Sequence, residues 1–209
     1  MKQTREGLLL VVSGPAGVGK GSINHALIQR NSDIRMSVSA TTRSPRPGEI
    51  NGVHYFFKTE EEFKKMIDEG AFLEYMRVFN THYYGTPKSF VEQELKEGRS
   101  VVLEIDVQGA MRVKAAYPDA VLIFIAPPSM SELKTRLIGR GTESAEAVEH
   151  RFETAYKELD FVKEYDYVVV NDILDLAIAR VEHILSAERC RSVRNGELIE
   201  KLMGGRSEL

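Results

Sequence analysis

Gly14-Pro15-Ala16-Gly17-Val18-Gly19-Lys20-Gly21-Ser22 decides how the rest of the chain is read. Gly14, Gly19 and Lys20 carry the spacing of a GxxxxGK phosphate-cradling loop. Glycines let the backbone curl until successive N–H groups converge on an anion. The helix that follows adds the positive end of its dipole, and Lys20 adds a full charge. The setting agrees with the motif. An apolar strand over residues 8–12 leads in, and a helix over 21–29 with Ile23, Ala26 and Leu27 leads out. One position departs from the full pattern. Gly21 stands where Ser or Thr is usual, and Ser22 comes one place later. A direct hydroxyl ligand to Mg²⁺ is lost, so the ion is expected to be held through substrate phosphates and water.

Working outward, four short runs rich in Val, Ile and Leu read as strands: residues 8–12, 101–105, 121–126 and 167–170. Each is apolar on both faces, which suits buried parallel strands covered by helices on either side. Helical patterns follow them over 21–29, 109–116, 131–138 and 173–189. Strand then helix, repeated, gives an α/β fold with a parallel central sheet in a three-layer arrangement. The middle of the chain breaks this rhythm. Short runs of mixed polarity occupy 36–40, 53–57, 72–78 and 82–84, around one helix over 60–69. Thr59 and Glu62 form a capping box for that helix, and Gly70 stops it. The Asn51-Gly52 turn signal suggests a small, partly antiparallel sheet inserted into the larger one. Residues 136–151 are polar enough to be mobile. After Glu188 the chain is charged, and its last few residues are expected to be disordered.

Composition bounds the function. The 209 residues carry a formal net charge of −3, with 43% hydrophobic and 28% charged side chains. No global basic field draws nucleic acid or an anionic membrane. A single cysteine, Cys190, cannot form an intrachain disulfide. That suits a reducing cytoplasm. The five histidines form no HExxH, and zinc-finger spacing is missing. The apolar run near the N-terminus is too short for a signal peptide and far too short for a membrane span. A cytoplasmic protein is expected, and self-association is left open.

A second constellation is Ser37-Val38-Ser39-Ala40-Thr41-Thr42-Arg43-Ser44-Pro45-Arg46-Pro47-Gly48-Glu49. Two arginines flank a proline, and Arg forks suit bidentate contact with phosphate. Pro45 and Pro47 stiffen the loop. The phenols of Tyr55 and Tyr84 are candidates for further hydrogen bonds.

This run, continued by Asn51-Gly52-Val53-His54-Tyr55-Phe56-Phe57, resembles the signature of guanylate kinases. The likeness extends through Phe72-Leu73-Glu74, Tyr83-Tyr84-Gly85-Thr86, Glu104-Ile105-Asp106-Val107-Gln108-Gly109, Ile125-Ala126-Pro127-Pro128-Ser129 and Arg136-Leu137-Ile138-Gly139-Arg140-Gly141-Thr142. Ala16 replaces a frequent Ser of the family, and Glu104 stands where Asp is also seen. The resemblance implies a P-loop NTPase-type fold and transfer of phosphoryl from ATP to GMP, with dGMP as a further acceptor and Mg²⁺ as cofactor. It implies a core over 7–35, 87–128 and 152–190, a GMP-binding insertion over 36–86, a helical lid over 129–151 and a tail over 191–209. Residues Gly14 to Ser22 and Asn171 would hold ATP. Arg43, Arg46, Tyr55 and Tyr84 would hold the GMP phosphate; Ser39, Glu74, Thr86 and Asp106 would read guanine or its surroundings. Lys20, Arg43, Arg136, Arg140 and Arg151 would neutralise the transferring group. Ser22 and Asp106 are candidates to reach Mg²⁺ through water. Two rival readings are a guanylate-kinase-like binding module without turnover and a kinase for AMP, UMP or a deoxynucleotide. The intact Gly19-Lys20 and lid arginines favour an enzyme. Glu74 favours guanine, whose adjacent N1–H and N2–H₂ donors suit one carboxylate.

Overall fold

The computed structural model describes residues 6–78, 81–139 and 145–204. The chain opens with β1 (Leu9–Ser13), α1 (Lys20–Arg30) and β2 (Ile34–Met36). It then runs through β3 (Ala40–Thr41), β4 (Phe56–Phe57), α2 (Glu60–Asp68), β5 (Phe72–Val78) and β6 (His82–Pro87). There follow α3 (Lys88–Lys96), β7 (Ser100–Glu104), α4 (Val107–Ala116), β8 (Val121–Ala126), α5 (Met130–Gly139) and α6 (Ala145–Leu159). The described chain ends with β9 (Tyr167–Val170), α7 (Leu174–Arg189) and α8 (Gly196–Gly204).

Period-two alternation along β1 explains the layers. Leu8, Leu10 and Val12 point to one face, where Ile23, Leu27, Leu133, Ile178 and Val181 pack on them from α1, α5 and α7. Leu9 and Val11 point to the other, against Val91 and Leu95 of α3 and Ala110 and Val113 of α4. All of these are essentially inaccessible to water. The central sheet has the order β2-β7-β1-β8-β9, and every pairing in it is parallel. The second sheet, β4-β3-β6-β5, is mixed: β3 and β4 are parallel, the other pairs antiparallel. Its own small core stacks Phe63 of α2 on Phe72 at 4.4 Å and on Tyr83 at 5.3 Å. The capping box of α2 forms as expected. Thr59 Oγ1 accepts from Glu62 N at 3.1 Å, and Glu62 Oε2 accepts from Thr59 N at 2.8 Å.

Several expectations change. Residues 36–40 do not form one strand. Met36 ends β2, which pairs with β7 of the large sheet, and the chain enters the small sheet only at Ala40. A three-residue strand anchored by one buried residue, Ile34, is too short for a periodicity to reveal. Nor is β9 buried on both faces. It is an edge strand, with Val169 covered but Val168 half exposed. Helix α3 was missed; its Val91 and Leu95, four apart, seal it onto the sheet. The charged tail continues as ordered chain. Arg194 donates to the Asp119 carbonyl at 2.9 Å, and Asn195 Nδ2 to the Arg191 carbonyl at 2.8 Å, ahead of α8. The expected disorder at 205–209 lies outside the described residues, as do Arg140, Gly141 and Thr142. On either side of them, α5 and α6 are joined by Lys134, which pairs with Glu149 at 2.9 Å and sits 4.9 Å from the Phe152 ring centroid.

Candidate active site

Because β1 lies between β7 and β8, helices leave its neighbours on opposite sides of the sheet and open a crevice at its C-terminal end. The glycine loop, Glu104, Asp106 and Asn171 all follow or end the strands there. The loop geometry demands glycine, most tightly at two points. Gly14 has φ 138°, and a Cβ would lie 2.2 Å from the Ile125 carbonyl oxygen. Gly19 has φ 98°, and a Cβ would lie 2.4 Å from Asn171 Nδ2. Among the described residues no side chain caps the first turn of α1, so its N–H groups remain for an anion. Lys20, the first residue of α1, donates from Nζ to the carbonyls of Gly14 (2.5 Å) and Pro15 (3.1 Å). Ala16, Gly17, Gly19, Lys20, Gly21 and Ser22 line a cavity of about 490 Å³ here. It is concave and polar, with the Lys20 ammonium and the Glu104 carboxylate in its lining, and the glycine loop gives it the backbone N–H groups of a polyphosphate site.

Asn171 sits behind the loop. It is 6% exposed. Its Nδ2 donates to the Val18 carbonyl at 2.8 Å, and its backbone N–H to the Ala126 carbonyl at 2.9 Å. Arg136 clamps the same residue, donating from Nη1 to the Asn171 carbonyl (2.9 Å), while its Nε pairs with Glu132 (3.0 Å). Both expected nucleotide contacts are therefore engaged in supporting the loop. Arg151 lies half-buried on α6, and Arg140 falls outside the described residues.

A second cavity, of about 410 Å³, opens between the two sheets and is lined in part by Ser39, Tyr55, Glu74, Tyr84, Glu104 and Asp106. Thr86 lines the adjoining space. Six of the eight residues expected around the acceptor thus meet here, and Arg43 stands next to Tyr55 without lining either space. Arg46 is exposed and does not line them. Antiparallel register sets Glu74 opposite Thr86, and Thr86 Oγ1 donates to Glu74 Oε1 at 2.9 Å. Burial pushes the Glu74 carboxyl above its ordinary range, while Thr86 and Arg112 pull it back. Asp106 caps α4, its Oδ1 accepting from Gly109 N at 2.7 Å.

Three residues gained importance that sequence reasoning did not give them. Glu49 holds the arginine loop. It accepts from Arg43 Nη2 at 2.8 Å and from the Arg46 N–H at 2.7 Å, and Arg43 keeps its carboxyl down at about 2. Arg43 also lies 5.4 Å from the Tyr55 ring centroid, and Tyr55 meets Tyr84 edge-on at 5.9 Å. Glu104 lines both cavities, accepts from Asn24 Nδ2 at 2.9 Å, and so forms their common wall. Its place at the C-terminal end of a strand was the available signal. Glu158, on α6, is pushed up to about 7 by burial, opposed by the charge of Lys20 and reinforced by Asp106. Nothing in its helical sequence context marks it.

Two cavities sharing one acidic wall, one built on the glycine loop with Lys20 and one with a buried carboxylate facing phenols, suit two phosphorylated ligands held face to face. A family model described as guanylate kinase matches residues 6–188. The chain belongs to the guanylate kinase family. It is 54% identical to a guanylate kinase of Caldanaerobacter subterraneus over 97% of this chain and 98% of that one. It is 50% identical to that of Desulfitobacterium hafniense over 92% and 96%. Its fold resembles the crystal structure of guanylate kinase from Anaplasma phagocytophilum, with TM-score 0.70 and 34% identity over 91% and 90% of the two chains. As a guanylate kinase the chain has the P-loop NTPase fold, and the small mixed sheet is its insertion between β2 and α3. Among the described residues, no helix is long and apolar enough to cross a membrane.

Proposed function

We propose that this guanylate kinase transfers the γ-phosphoryl group of ATP directly to the phosphate of GMP, and that dGMP also serves as acceptor. The observation that carries the reading is Glu74, a buried carboxylate set by register beside Thr86 in a cavity that shares a wall with the phosphate loop. An ionised carboxylate accepts both N1–H and N2–H₂ of guanine. Adenine offers no such pair, so its entry would strand Glu74 in a buried site.

In this reading residues 14–22 hold the ATP phosphates, with Lys20 swinging from the Gly14 and Pro15 carbonyls to the transferring group. Arg43 and Arg46, stiffened by Glu49, grip the acceptor phosphate with Tyr55 and Tyr84; Ser39, Thr86 and Asp106 complete the acceptor end. The acceptor oxygen is already anionic, so no general base is needed, and catalysis consists of positioning and charge neutralisation. Arg136, on leaving the Asn171 carbonyl, and Arg151 close over the site from α5 and α6 and exclude water, and the family resemblance adds Arg140 to them. The chain then divides into a core of 7–35, 87–128 and 152–190, an acceptor-binding insertion of 36–86, a lid of 129–151 and a tail, and works in the cytoplasm. The donor set suits Mg²⁺, a hard cation that prefers oxygen. Ser22 and Glu104 line the loop cavity, and Asp106 lines the neighbouring cavity with Glu104. Among the described residues no cluster of three or more His, Cys, Asp or Glu could hold a metal by itself. Bound there, it would neutralise phosphate charge.

Glu74→Gln tests the reading. An amide turns a donor toward the guanine donors, and two charge-assisted hydrogen bonds are lost. kcat/KM for GMP should fall by about 10²–10⁴ while KM for ATP stays put. An unchanged GMP preference would refute it.

A further inference from the structure

Glu74 has a partner outside the cavity. Arg112, on α4, brings Nη2 to 3.9 Å from Glu74 Oε2, while Thr86 holds Oε1. The Glu74 side chain is 6% exposed and that of Arg112 is 42% exposed, so the pair spans from interior to surface. Arg112 does not line the cavity. Each carboxylate oxygen is thus engaged from a different element, one from β6 and one from α4.

We propose that Arg112 is the positioning residue of the guanine end, acting through Glu74 to keep it an ionised, fixed double acceptor. The inference rests on the reading of Glu74 given above. A carboxylate this buried tends to take up a proton unless a cation stands near it. Once protonated, it presents a donor toward guanine and can accept only one of the two purine donors. Asp106 pushes in the same unfavourable direction, and Thr86 supplies one hydrogen bond without charge. Arg112 is the cation nearby. At 3.9 Å it contributes field more than a bidentate bond, so its removal should weaken recognition without abolishing it. The partial exposure of Arg112 leaves room to exchange it with little effect on folding.

The experiment compares wild type, Arg112→Met, Arg112→Lys and Glu74→Gln in steady-state assays with GMP and with inosine monophosphate, which keeps N1–H and lacks the 2-amino group. Thermal melts confirm folding. Arg112→Met should raise KM for GMP about five- to tenfold, with kcat within about twofold and KM for ATP unchanged. KM for inosine monophosphate should rise less, so the preference for GMP narrows. Arg112→Lys should restore most of the loss. The inference is overturned if Arg112→Met leaves KM for GMP within about twofold of wild type, if all constants move together, or if Lys rescues nothing. If Glu74→Gln erases the preference for GMP while Arg112→Met leaves it whole, the inference alone falls. If Glu74→Gln leaves it whole as well, the reading of Glu74 falls with it.

Discussion

Gly19→Ala should damage both stability and ATP binding, and its cost can be worked from the loop. The residue sits at φ 98°, ψ 21°, a left-handed conformation that costs an L-residue roughly 1–2 kcal/mol. The new Cβ would lie 2.4 Å from Asn171 Nδ2, well inside van der Waals contact. Asn171 has little freedom to retreat. Its backbone is held by Ala126 and by Arg136. Moving its amide breaks the 2.8 Å bond to the Val18 carbonyl, which leaves a buried acceptor unpaired at roughly 1–3 kcal/mol. The total is about 2–5 kcal/mol, against a stability of roughly 5–15 kcal/mol for an ordinary domain. Urea denaturation should show a lower midpoint with an unchanged m-value, and KM for ATP should rise. A double-mutant cycle isolates the clash. In an Asn171→Ala background, Gly19→Ala should cost only the conformational strain, giving a coupling of about 1 kcal/mol or more. A cost below about 0.5 kcal/mol in wild type, or strict additivity in the cycle, would refute the buttress.

Lys20→Ala should lower kcat by at least about 10²–10³, as for removal of one preorganised transition-state donor, with the thermal midpoint shifted by only a few degrees because its bonds to the Gly14 and Pro15 carbonyls add little to the packed core; near-normal turnover would contradict the role. Glu158→Gln should change the pH dependence of stability. Its native pKa, about 7, lies above the unfolded carboxylate value, so the native state binds the extra proton and stability is lost as pH rises from about 4.5 through 7. The variant should therefore melt higher than wild type at pH 8, with the gain fading toward pH 5; a gain that grew on acidification would show that burial does not govern this group.

Much of the large sheet was legible because buried parallel strands leave a plain signal. The runs at 121–126 and 167–170 match β8 and β9 residue for residue, and the glycine loop announced the helix behind it. Short elements were not legible. β2, β3 and β4 have two or three residues each, and pairing partners far along the chain, not local pattern, decide where they go. Glu74 could be singled out only through the family resemblance, since a carboxylate on a strand reads equally as a solvent-facing residue; its burial comes from the packing of β5 against α4. Arg43 was legible as a cation, but Glu49, which fixes it, required the folded loop. Asn171 was legible as an ATP contact only through the family resemblance, and the folded chain instead turns its amide to the Val18 carbonyl of the loop. Glu158 was invisible, because its environment is assembled from parts far along the chain, Lys20 of α1 and Asp106 at the cap of α4 among them.

The most direct measurement is turnover by the purified chain with ATP and Mg²⁺ in a coupled ADP-release assay, run side by side with GMP, AMP and UMP and with the nucleoside diphosphate products identified. The account predicts GDP formation from GMP, with AMP and UMP poorer acceptors by a factor of about 10² or more. Release of ADP without GDP, or AMP outcompeting GMP, would contradict it.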